Sequence, residues 1–144
     1  MSPLNRLASC TLLGLFLSSG TGPARADVVA VVSAKSTVAT LSKSQVADIF
    51  LGKTTRFPDG APAQPIDQAE GSPARDEFYA TFAQKSPAQV KSHWSKIIFT
   101  GRGQPPKAIS SGVAVMQFIA ANPNAISYIE RSAVDGSVRV LNSP

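Results

Sequence analysis

Apolar positions along this chain change period in a way that predicts alternating strands and helices. Val28-Val29-Ala30-Val31-Val32 is a continuous, mostly β-branched run, the pattern of a strand buried on both faces. After a polar connection, Val46, Ile49 and Phe50 share a helical face, Ser42 and Gln45 form a capping-box pair ahead of them, and Gly52 stops the helix. Phe57-Pro58-Asp59-Gly60 is turn chemistry, and Ala63 to Asp67 predicts a second strand. A helix opening at Ser72-Pro73 carries Phe78, Tyr79 and Phe82 inward, and Ser86-Pro87 opens another through Val90, Trp94, Ile97 and Ile98. Gly101 to Pro106 predicts a loop, Ser110 or Ser111 caps a helix through Val115, Phe118 and Ile119, and the helix stops before Asn122-Pro123. Ala125 to Ile129 and Ser137 to Leu141 predict two closing strands. The expected order β-α-β-α-α-α-β-β describes one α/β sheet covered by helices, with no internal repeat.

Composition narrows the picture. The chain has 144 residues, 43% hydrophobic and 16% charged, which is ordinary globular composition. Met1 to Arg6 is a short positive start, Leu7 to Leu17 is mostly apolar, and Ala24-Arg25-Ala26 is a small-x-small cleavage pattern. Residues 1–26 therefore read as a secretory signal peptide, with residues 27–144 as one exported, periplasmic domain that does not span a membrane once the leader is removed. A lipidation box is present at Leu7 to Cys10, but it stands at the front of the apolar run and not after it. Removal of the leader takes away Arg6 and Arg25 and no acid, leaving 12 bases against 9 acids. That modest excess suits a small anion and lacks the basic cluster of a nucleic-acid surface. Cys10, the only cysteine, leaves with the leader, so the exported domain has no disulfide, thiol nucleophile or cysteine metal site.

Catalytic patterns are absent. His93 is the only histidine and precedes Trp94 in a helix, and there is no G-x-S-x-G elbow. The acids Asp48, Asp59, Asp67, Glu70, Asp76 and Glu77 follow the pattern of caps and solvated faces. The expectation is a non-enzyme without cofactor or metal. Trp94, Tyr79 and Tyr128 read as core, with a cleft-lining role left open.

The candidate binding chemistry lies at Ile66 to Tyr79. Gly71 makes the turn, Ser72 caps the helix, Pro73 takes the first helical position, and the amides of Ala74, Arg75 and Asp76 stand at the positive end with Arg75 alongside. This is the chemistry of an anion pocket and equally that of an ordinary capped turn; the acids Asp67, Glu70, Asp76 and Glu77 already bring negative charge to the same place. A second possible anion contact is Arg102 with Gly103, where flanking glycines allow backbone amides to turn toward a ligand.

Three separated stretches in order, Leu41-Ser42 with Val46 to Lys53, Gly71-Ser72 with Arg75 and Phe78, and Asn122 to Ile129, resemble the phosphate-binding periplasmic proteins of ABC importers. More closely, the chain resembles the short exported PBP-like domains. The resemblance spans nearly all of Val28 to Leu141. It implies a single lobe of a type 2 periplasmic-binding-protein fold, a mixed sheet of about four to five strands flanked by helices, corresponding to the second lobe with its hinge strand. It also implies phosphate or a related oxyanion bound weakly in an open half-site by Gly71, Ser72, Ala74, Arg75 and Gln68, and an ABC permease as partner. In the family a serine-glycine-threonine turn and an upstream arginine grip phosphate. Ser72 matches the serine, Pro73 and Ala74 replace the glycine and threonine, Gln68 falls near the arginine, and Arg75 offers a charge from inside the helix. The rival reading is a ligand-free module that docks on another periplasmic protein.

Overall fold

The computed structural model describes residues 27–142; the predicted signal peptide and Cys10 lie outside them. Strand β1 (Val28–Ser33) is buried at every position because it lies inside a five-stranded sheet of order β3-β2-β4-β1-β5. It pairs antiparallel with β4 (Ala125–Glu130) and β5 (Val138–Val140), while β2 (Gln64–Gln68) runs parallel to β4 and to β3 (Lys107–Ile109). The sheet is thus mixed, as expected for the fold class. β3 is the element missed in the sequence: three residues of Lys-Ala-Ile beside a proline pair carry too little alternation to register.

Alternation along the central strands sends successive side chains to opposite faces. Val28, Ala30 and Val32 of β1 with Ile126 and Tyr128 of β4 meet α1 (Lys43–Phe50), α2 (Pro73–Phe78) and α3 (Pro87–Phe99) on one face. Val29, Val31, Ala125 and Ile129 join Ile66 and α4 (Gly112–Ala121) on the other. All four helices start at a serine cap: Ser42, Ser72, Ser86 and Ser111. The Ser42–Gln45 and Ser86–Gln89 pairs close full capping boxes.

α2 does not run on as a regular helix. From Tyr79 to Ala83 it widens into a π-turn and ends at Gln84 in the left-handed region, φ 54°. The widened turn goes with burial of the consecutive rings of Phe78 and Tyr79. Phe78 stacks on Tyr128 at 4.1 Å between ring centroids and meets Phe50 edge-on at 4.7 Å.

Candidate functional site

Strand β2 lies between the edge strand β3 and the central β4, and the chemistry near its carboxyl end follows from alternation across two faces. Asp67 points to the face covered by α1, α2 and α3, and Gln68 to the face covered by α4. Between them and α2, Ala69 to Gly71 forms a tight turn closed by the Ser72 amide donating to the Ala69 carbonyl at 3.1 Å. Gly71 takes φ 88°, a conformation that disfavours residues with a Cβ.

Asp67 corrects the sequence-based view of the acids as caps and solvated faces, because it is 4% exposed. The Tyr79 hydroxyl donates to its Oδ2 at 2.7 Å and the Tyr128 hydroxyl to its Oδ1. The Arg75 Nε stands 3.5 Å from Oδ1, and the guanidinium lies 5.1 Å over the Tyr79 ring. Burial, then the adjacent Asp67 charge, pushes both phenols above the ordinary tyrosine range. A buried carboxylate surrounded by donors and a cation is a satisfied structural charge, not an available base. Tyr79 and Tyr128 are therefore core residues with a polar task.

Ser72 and Gln68 form a second, connected set. The Ser72 Oγ accepts from the Arg75 amide at 3.4 Å, the long capping bond of α2, and donates to Gln68 Oε1 at 3.0 Å. Gln68 in turn donates its side-chain amide to the Tyr128 carbonyl at 3.0 Å. Pro73 has no amide hydrogen to offer. Arg75, expected to face an incoming anion, spends its charge on Asp67, with its side chain 14% exposed.

A groove of about 340 Å³ opens beside this set. Gln68, Ser72, Pro73 and Ala74 form one wall, Gly112, Val113 and Met116 at the start of α4 another, and Ile129, Glu130 and Ala133 the third. The first turns of two helices therefore border one concavity at the carboxyl ends of parallel strands, where ligands of open α/β sheets commonly bind. The sequence offered no sign that α4, some forty residues downstream, contributes a wall. Gly71 and Arg75 are not among the lining residues. Arg102 and Gly103 stand elsewhere: they precede the Lys107 end of β3, whereas Gln68 is level with Ile109. The Arg102 amide donates to the Ile97 carbonyl at 3.1 Å as part of the α3 terminus.

Two other candidates are placed by packing. His93 Nε2 meets the Leu51 carbonyl at 2.8 Å. Trp94 is buried against Gly52 and also lines a separate cavity of about 320 Å³ with Gly52, Gln104 and Lys107, so its cleft-lining role holds there and not at Ser72. No group of three or more His, Cys, Asp or Glu able to hold a metal occurs among the described residues.

No family model matches the chain, and no curated protein matches it either. Solved structures do. A substrate-binding protein assigned to phosphate ABC transport from Clostridium perfringens, determined with bound phosphate, is similar at a TM-score of 0.66 and 22% identity, over 81% of this chain and 44% of that one. An ABC-type phosphate transport receptor from Vibrio cholerae gives 0.64 and 17%, over 81% and 46%. PstS from Borrelia burgdorferi gives 0.61 and 12%, over 81% and 47%. The likeness is one of fold: this chain has the architecture of a partial periplasmic-binding-protein domain of type 2. It spans less than half the length of the proteins it matches.

Proposed function

We propose that the chain is an exported solute-binding-type domain, related in role to the substrate-binding proteins of ABC importers, and that it takes phosphate or a similar oxyanion where α2 begins. The supporting observation is the Gly71–Ser72 turn, which opens a helix onto a groove inside a fold shared with phosphate-binding proteins. In this reading the Ser72 hydroxyl turns from Gln68 to the ligand. The Ala74 amide and the Gln68 side-chain amide donate alongside it, while Gly71 lets the backbone approach closely. Arg75 acts through its charge while remaining bound to Asp67. Because that cation is already half neutralised and the groove is open to water, each contact is weakened by solvent and binding is weak. An ABC permease is the corresponding partner, residues 1–26 are the export signal and the periplasm is the site of action. No catalytic step is assigned to the chain. Arg102 and Gly103 stand apart from this site as a separate possible anion contact.

Titrating phosphate into the protein and into Ser72→Ala by calorimetry tests the proposal. The expected result is a saturable heat for the native chain and affinity about tenfold lower in the variant, the scale of one hydrogen bond to a charged group. A native titration indistinguishable from dilution removes the oxyanion site. Arg75→Ala is the wrong variant for this purpose, since it strands a buried carboxylate and confounds binding with folding.

A further inference from the structure

The far end of the molecule carries an unexplained surface. Phe99 is 92% exposed and its neighbour Ile98 is 54% exposed, side by side at the last turn of α3. Burial in the core accounts for neither. The loop that follows folds back on this tip, with the Thr100 amide donating to the Lys96 carbonyl and the Arg102 amide to the Ile97 carbonyl, both at 3.1 Å. The backbone at Lys96 and at Arg102 is thereby held within one turn of the two apolar residues. Charge is one-sided over the same region: from Phe78 to Ile129 the sequence holds Lys85, Lys91, Lys96, Arg102 and Lys107 and no aspartate or glutamate. Lys91 pairs loosely with Glu70 at 3.8 Å and Lys107 lies 5.4 Å over the Phe118 ring, whereas Lys96 and Arg102 have no acidic partner among the described residues. Asp48 of α1 is taken by Lys53 at 3.9 Å.

We propose that this tip is a peripheral docking point for an anionic lipid bilayer, with Phe99 and Ile98 entering the headgroup boundary and Lys96 and Arg102 facing the lipid phosphates. Charge complementarity selects an anionic surface. The size of the apolar element selects a membrane over a folded protein, because a stable protein interface hides roughly 800 Å² per partner, which two adjacent side chains on a protruding tip do not supply. Interfacial lipid contact draws on buried apolar area and on attraction of nearby bases to anionic headgroups, and this tip offers both. No helix among the described residues is long and apolar enough to cross a membrane, so the contact is superficial. It lies apart from the groove at Ser72 and stands or falls without it.

Vesicle co-sedimentation tests it, with pure phosphatidylcholine compared against phosphatidylcholine containing phosphatidylglycerol, and the same preparation of the chain used throughout. Expected is binding to the anionic vesicles only, released by salt. Phe99→Ser weakens it about tenfold or more and Arg102→Gln about fivefold. Both sites are exposed, so melting temperatures matching the native chain check that folding is intact. Absence of pelleting, or pelleting that Phe99→Ser leaves unchanged, overturns the proposal; the latter result assigns the binding to another segment. Retention by an acidic protein without vesicle binding overturns it as well.

Discussion

At 4% exposure Asp67 has lost nearly all contact with water, and its carboxylate is tolerated because two phenols, the Gln68 backbone amide and a guanidinium stand around it. Uncompensated, such a burial costs several kcal/mol. The same arrangement makes the tyrosines resist ionisation. Unfolded tyrosine releases its proton near pH 10, while burial and the Asp67 charge keep Tyr79 and Tyr128 protonated in the fold well beyond that. Above about pH 10 the native state thus holds protons that the unfolded state has given up, and stability falls as pH rises; below it these groups contribute no pH dependence. Tyr79→Phe is expected to lower stability at neutral pH by about 1–3 kcal/mol, through the lost donor to Asp67, and to flatten the alkaline decline. Urea midpoints measured across the alkaline range check both parts. Identical alkaline slopes for the two proteins would show that Tyr79 is not the titrating group.

Among the elements, helix ends follow local chemistry closely, and their constraints are unequal. Gly52 and Gly71 both have positive φ, 74° and 88°, yet their surroundings differ. A Cβ on Gly52 would sit 2.8 Å from a ring carbon of the buried Trp94, whereas one on Gly71 would meet nothing within 4 Å. Gly71→Ala is expected to cost about 1 kcal/mol, the strain of a left-handed non-glycine residue. Gly52→Ala must add displacement of the indole and cost clearly more. Denaturant titrations of the two variants, with Trp94 fluorescence as the probe, make the comparison direct, and equal losses would mean that the indole yields freely. The π-turn at Tyr79 to Ala83 belongs to this scale as well. Apolar spacing announced a helix there, and the widened turn that follows Phe78, whose ring stacks on Tyr128 of β4, left no mark in the local sequence.

Over the whole molecule, the central strands couple two cores. β1 and β4 contribute alternate residues to both, so neither core can open while the other stays packed. Phe78→Ala on one face and Ile119→Ala on the other remove completely buried side chains, at about 3–5 and 2–5 kcal/mol. Both are expected to shift one calorimetric transition without dividing it, with calorimetric and van't Hoff enthalpies in agreement. A resolved second peak in either variant would show that the faces unfold separately.

What the amino-acid order determined by itself was local. Short apolar runs and period-3.6 patterning marked four of the five strands and all four helices, because burial in a sheet or on a helical face acts within a few residues. The serine caps and the glycine turns were equally legible, since a cap bonds an amide three residues away. Tertiary structure decided what those pieces face. Asp67 looked like one more helix-end acid until Tyr128, 61 positions later in the chain, reached it across the strand pairing. Arg75 looked free until Asp67 claimed it, and the groove beside Ser72 acquired its walls only when α4 and the end of β4 were brought alongside. Hydrogen bonds and ion pairs between distant segments depend on register and on which face a strand turns inward, and no short stretch of sequence contains both partners.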